Sequence, residues 1–186
     1  LRVALLTTGD ELVEPGEALG PGQIYNANLP ALRAMLEQLE LVEVIDLGRA
    51  RDSLTETREL LAVASASADC LISTGGVSVG EEDHVRSALE AEGQIDFWKL
   101  ALKPGKPFTS GKLGSCQFFG LPGNPVSAFV TFCVLVRPAM LSMLGCSQIS
   151  PLSFLLPAGF ALPQNGERQE YLRVKVEQSG MQCSLQ

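Results

Sequence analysis

The chain lacks the sequence marks of several common functions. Its five cysteines stand at irregular separations with no CxxC pair. That excludes a zinc signature and a disulfide framework, and points to reduced, buried thiols in a cytosolic setting. Positive charge is scarce: 14 Lys and Arg stand against 21 Asp and Glu, a net charge of -7, which argues against a basic nucleic-acid-binding face. Long hydrophobic runs are missing too. The most apolar stretch, VSAFVTFCVLV from Val126, meets Arg137-Pro138 well short of the about 20 residues that cross a bilayer. It reads as a buried helix, so no membrane partner is expected. No basic segment followed by a short apolar core opens the chain, so no signal peptide is expected. The first residues, RVALLTTGDE, already read as a strand, which suggests a fragment of a longer protein.

What is present is regular alternation. RVALL (2–6), LVEVIDLG (41–48), CLIST (70–74) and IDFWKLAL (95–102) read as strands, and FTSGKLGSCQFFG as two more around a Gly-containing turn. Between them, Asn28 can cap a helix with apolar positions Leu32, Met35, Leu36 and Leu39. Ser53 and Glu56 make a capping box for a helix through Ala66, and Glu82–Glu92 reads as a third. Asn124 and Pro125 suit the start of a last, long helix. The pattern predicts an α/β sheet, at least partly parallel, covered on both faces. After Leu144 the helical period ends. A boundary near residue 147 is expected, with 148–186 the start of a larger β subdomain.

In such sheets ligands bind beyond the carboxyl ends of the strands. The loops there are TTGDE (7–11), GRARD (48–52), TGGVSVGEED (74–83) and GLPGNP (120–125). Glycine loops after strands bring backbone N–H groups close to an oxyanion. Carboxylates beside them, at Glu11, Asp52 and Asp83, would repel it unless a divalent cation such as Mg²⁺ sits between. The same acids also suit helix starts. TGGVSVG is neither a dinucleotide fingerprint nor a Walker loop. In KLALKPGKP, Lys99 and Lys103 fall on one side of a strand and, with Lys106, can hold an oxyanion as point charges; a solvated basic face is the alternative. GLPGNPVS offers free N–H groups at a helix start and the Ser127 hydroxyl. His84, the lone histidine, reads as a helix-surface residue.

TGDEL, GQIYNAN, the Arg51-Asp52 pair, STGGVSVGEEDH, FWKLALKPGKPF and GLPGNPVSAFVTF, in this order and spacing, closely resemble the molybdopterin molybdenumtransferases, the molybdenum insertases of the MoeA and gephyrin E-domain type. The resemblance spans nearly all of residues 1–147, and ERQEYLRV (167–174) looks like the start of the family's C-terminal β-barrel subdomain. It implies a three-layer αβα sandwich at 1–147, followed by an incomplete barrel-like subdomain at 148–186. The implied reaction converts adenylylated molybdopterin and molybdate to molybdenum cofactor and AMP, with Mg²⁺, in a cytoplasmic homodimer. On this resemblance Asp52 and Asp83 hold the metal and Glu11 completes the acidic edge. Gly75, Gly76 and Ser78 face the nucleotide phosphate. Lys99, Lys103, Lys106, Pro107 and Ser127 face molybdate and the phosphoanhydride, beside Pro122 and Asn124 of the GLPGNP turn, with Arg168 or Arg173 as further cations. Family members carry two subdomains before residue 1 and a fuller barrel after residue 186, so this chain alone is expected to be inactive. Two related enzymes, molybdopterin adenylyltransferase and a competence-damage-type nucleotide hydrolase, share the subdomain. TGGVSVGEED and KPGKP favour the insertase over both. A gephyrin-like scaffold role uses the same subdomains.

Overall fold

The computed structural model describes residues 1–76, 84–161, 166–179 and 182–185. In chain order it has strand β1 (Arg2–Thr8), the two-residue strands β2 (Leu12–Val13) and β3 (Ile24–Tyr25), helix α1 (Asn28–Glu37), β4 (Glu43–Ala50), α2 (Leu54–Ser67), β5 (Cys70–Thr74) and α3 (His84–Glu92). Next come β6 (Gln94–Lys99), β7 (Leu102–Lys103), β8 (Pro107–Leu113), β9 (Cys116–Leu121) and α4 (Pro125–Thr131). A π-helical turn (Phe132–Val136) leads into α5 (Arg137–Met143), and then β10 (Gln169–Glu170), β11 (Val176–Ser179) and β12 (Gln182–Leu185).

Six strands form one mixed sheet in the order β4-β1-β5-β9-β8-β6. The first four run parallel; β8 and β6 close the sheet antiparallel. Alternation along the strands sends side chains to two cores. On one face Val3, Leu5, Ile72, Phe119 and Leu121 meet Leu32 and Leu36 of α1 and Phe132, Val136 and Met140 of the last helical stretch. On the other, Leu6, Leu71 and Phe118 meet Leu61 and Ala64 of α2 and Val85 and Leu89 of α3. This is the expected αβα layering. The parallel strands pass their carboxyl ends to one edge.

Three local expectations change. Asn28 is the first residue of α1 rather than its cap. The helix start is instead met by Asn26, whose Oδ1 accepts the Leu29 N–H at 3.3 Å. Second, Pro138 does not end the last helix. The Arg137 N–H donates five residues back to the Phe132 carbonyl, and the chain continues helically through Met143. The widened turn absorbs the proline, which has no N–H to offer and would clash with a regular preceding turn. The whole stretch Pro125–Met143, with a mean hydropathy of 1.8, is long and apolar enough for a membrane span by composition. Here one face lies in the core through Ala128, Phe132, Val136 and Met140, while Val126 and Phe129 remain 62% and 54% exposed. Third, β6 ends at Lys99, opposite Pro107, so strand alternation does not carry through to Lys103.

Of the thiols whose side chains the structure describes, Cys70 and Cys116 are buried, Cys133 is half-buried and Cys146 is exposed. Burial pushes Cys70 far up and Cys116 up to about 11, which keeps both protonated and unreactive at neutral pH.

Ser73 and Thr109 flank Gly120, which pairs with both across neighbouring strands. Their hydroxyl oxygens are buried without a hydrogen-bond partner among the described residues. A stranded buried hydroxyl destabilises, so Thr109→Val, which keeps the shape and removes the polar atom, is expected to raise stability by about 1 kcal/mol. Urea denaturation measures it. A loss of stability would mean that the hydroxyl has a partner in solution.

Candidate functional site

The site is built where β5 and β9 end side by side. After Thr74 the chain turns through Gly75 and Gly76, at φ of +79° and +61°, a region that L side chains rarely adopt. Space forbids a side chain as well. A Cβ at Gly75 would lie 2.7 Å from the Thr8 carbonyl oxygen, and one at Gly76 would lie 2.6 Å from Val85 Cγ2. The Gly75 N–H donates to the Leu121 carbonyl at 3.3 Å, tying the glycine turn to the end of β9. There Pro122, Gly123 and Asn124 lead into α4, and Asn28 reaches across to donate to the Gly123 carbonyl at 2.8 Å. Gly75, Gly76, Pro107, Pro122, Gly123, Asn124 and Ser127 line a cleft of about 390 Å³.

The start of α4 is already capped. Asn124 Oδ1 accepts the Val126 and Ser127 N–H groups at 3.1 and 3.2 Å, and the Ser127 hydroxyl stands 3.5 Å from it. The free helix-start donors expected from GLPGNPVS are thus occupied, which leaves the Ser127 hydroxyl as the adjustable donor in this wall.

The acidic edge lies beyond β1 and β4. Asp10 Oδ1 accepts the Asp52 backbone N–H at 3.1 Å, and Asp52 Oδ1 stands 3.4 Å from His84 Nε2. His84 opens α3, so Asp52 lies against the helix that comes after the glycine turn. Glu11 folds back over Gly9, where an added Cβ would be 2.6 Å from its Oε2. Sequence alone singles out Glu11 as a site candidate and His84 as a surface residue, while Thr8, Asp10 and Asn28 lie within the quoted motifs TGDEL and GQIYNAN without a site role of their own. Residue type does not separate Asp10 from its neighbour Glu11. Asp83 and Ser78 lie outside the described residues, as does the side chain of Lys99.

The basic loop packs beside the cleft. The Leu100 N–H donates to the Lys106 carbonyl at 2.8 Å, closing residues 100–106 into a loop. Gly105 is buried against Thr131, whose hydroxyl donates to the Ser127 carbonyl at 2.7 Å. Pro107 then enters the cleft wall, while Lys106 is exposed next to it. Lys103 Nζ stands 2.8 Å from Glu170 Oε1, so its charge is met from the C-terminal segment. Arg168 and Arg173 are exposed on that segment and do not line the cleft.

A second cleft, of about 520 Å³, lies between the β2–β3 segment and β4, lined by Glu14, Glu17, Asp46 and Arg49 among others. Its polar groups are largely spent internally: Glu14 accepts from Asn26, Asp46 pairs with Arg33, and Arg49 donates to the Leu12 carbonyl. The glycine-lined cleft is therefore the better candidate.

Comparison with known proteins identifies the family of the fold that carries this cleft. The family described as "Probable molybdopterin binding domain" matches residues 4–142. The molybdopterin molybdenumtransferase of Haemophilus influenzae is 51% identical over 148 residues, covering 80% of this chain and 36% of that protein. The molybdenum cofactor synthesis protein cinnamon of Drosophila melanogaster is 37% identical over 181 residues, 94% of this chain and 29% of the relative. A solved molybdopterin biosynthesis MoeA protein of Pyrococcus horikoshii superimposes with a TM-score of 0.76 at 30% identity, over 99% of this chain and 44% of that one. The chain thus spans about a third of the length of these two curated relatives. With the family's matched span covering the sheet, its helices and the glycine-lined cleft, this chain belongs to the molybdopterin-binding domain family.

Proposed function

We propose that this chain is the substrate-binding part of a molybdopterin molybdenumtransferase, a cytoplasmic enzyme working as a homodimer. In the proposed reaction adenylylated molybdopterin and molybdate give molybdenum cofactor and AMP. The observation that carries the reading is the cleft in which the side-chain-free Gly75-Gly76 turn faces Pro107, Asn124 and Ser127. A wall of glycine backbone admits a phosphate more closely than any side chain would allow. Lys106, exposed beside Pro107, adds positive charge at the rim. Ser127 can turn its hydroxyl from Asn124 to an oxyanion.

Mg²⁺ is proposed at the acidic edge, held by Asp52 with Asp83 and supported by Asp10. Among the described residues no three His, Cys, Asp or Glu side chains converge into a metal site. The fit is still good, because Mg²⁺ commonly takes one or two carboxylates and fills its remaining positions with water and phosphate oxygens. When bound, its contribution is to neutralise charge on the phosphoanhydride as it breaks. This chain's own residues bind and orient: glycine backbone and Ser127 fix the phosphate, and the lysines draw the second anion to the same cleft.

The test is calorimetry of AMP binding to the full-length protein with and without Mg²⁺, joined to a crystal soaked with AMP, Mg²⁺ and molybdate. The expected result is Mg²⁺-enhanced binding, with the nucleotide phosphate against Gly75 and Gly76. Nucleotide density remote from this turn would remove the assignment.

A further inference from the structure

Lys103 would be expected to sweep freely on its four-carbon stem, yet it is held. Its neighbour comes from the far end of the chain. Strand β10 lies parallel to β7, with Gln169 paired to Leu102 and Glu170 to Lys103. The Gln169 N–H donates to the Ala101 carbonyl and the Tyr171 N–H to the Lys103 carbonyl, both at 2.8 Å. On this ladder the Glu170 carboxylate reaches the Lys103 ammonium at 2.8 Å. The Glu170 side chain is only 22% exposed, so the pair is screened less than an open surface pair.

The held ammonium belongs to a loop that adjoins the cleft and leads into its wall. One end of the loop becomes Pro107 in the cleft wall, and its buried Gly105 rests on Thr131, which holds the Ser127 carbonyl. A shift of β10 would therefore be felt by Lys103 and by two cleft residues. The C-terminal segment is otherwise thinly anchored: Leu152, Phe154 and Leu155 are 83%, 74% and 102% exposed. Its strand pairing to the body of the fold is at β7.

We propose that Glu170 is a positioning residue for the oxyanion site: by its ion pair it holds the Lys103 ammonium beside the cleft and makes the segment C-terminal to the αβα unit part of the binding machinery. An ammonium has three donors, so a carboxylate that takes one leaves two for an incoming oxyanion. The lysine then binds without first surrendering its rotamer freedom, and the gain is one of preorganisation. This inference rests on the proposed function of the cleft and assigns a residue that the site geometry alone does not include.

The test is molybdate binding by calorimetry to the full-length protein, comparing wild type with Glu170→Gln, Glu170→Asp, Lys103→Ala and the Lys103→Ala/Glu170→Gln double variant. Glu170→Gln should weaken binding about tenfold, the scale of a lost preorganised charge contact, and Glu170→Asp should recover part of it. In the Lys103→Ala background, Glu170→Gln should cost clearly less than it does in wild type, which a merely structural role would not produce. Unchanged or tighter binding by Glu170→Gln overturns the proposal, since the carboxylate would then be idle or a competitor. An equal loss with and without Lys103 also overturns it, because Glu170 would then act by folding the segment. Wild type that binds no molybdate at this cleft would instead bring down the reading of the site itself. Should the Gln variant fail to fold by circular dichroism, the Asp variant decides: affinity near wild type supports positioning, and affinity equal to Lys103→Ala opposes it.

Discussion

Gly75→Ala is expected to lower stability by about 3 kcal/mol and to abolish AMP binding at the cleft. Two costs combine. The residue sits at φ +79°, and its new methyl group would meet the Thr8 carbonyl oxygen at 2.7 Å, a backbone atom at the end of β1 that cannot swing away. Gly145 supplies the control. Its φ is +77° but nothing lies within 4 Å of a Cβ there, so Gly145→Ala should show the conformational cost alone, about 1 kcal/mol. Urea denaturation of both variants, with calorimetry using AMP, separates strain from collision. Equal losses in the two would show that β1 and the glycine turn are not packed as described.

Asp52→Asn is the second large effect, and here function should fall while the fold stays. In the full-length enzyme, Mg²⁺-dependent release of AMP is expected to drop by about 100-fold, because a neutral amide is a poor ligand for a hard cation. Stability should move by less than about 0.5 kcal/mol. The side chain is 54% exposed, and the bond to Asp10 is made by the Asp52 backbone, which the substitution leaves in place. AMP release measured against Mg²⁺ concentration, with circular dichroism as the fold control, decides it. An unchanged Mg²⁺ dependence would take Asp52 out of the metal site.

The parts of this protein that are legible in the sequence are those set by neighbours along the chain. CLIST reads as a strand because a short run of mostly apolar and β-branched residues stops at two glycines, and it is found at Cys70–Thr74. The caps at Ser53 and Asn124 are local too: each oxygen meets N–H groups two or three residues on. The features that sequence does not disclose come from afar. Asn28 resembles a cap because its type suits one, but its amide bonds to Gly123, 95 positions away. Lys103 reads as unpaired because its carboxylate, Glu170, arrives through a strand of two residues, too short to leave any periodicity. Pro138 reads as a stop because a regular helix would not bear it. The cleft is legible at one level, since strand-end loops carry sites in parallel sheets. That Asn124 already occupies the helix-start donors is not, because a cap and an anion site have the same sequence.

The widened turn at Phe132–Val136 has a bearing on how chains of different length can share this architecture. A single such turn accommodates one residue more than a regular helix of the same span, without rotating the helix beyond it. Residues on either side, Ala128 and Met140, face the same core. A relative shorter by one residue between them could therefore run as an unbroken α-helix and still present the same buried side chains to the sheet. Insertion and deletion are nearly interchangeable at this point of the helix, which elsewhere would turn its apolar stripe by about 100° for each residue gained or lost.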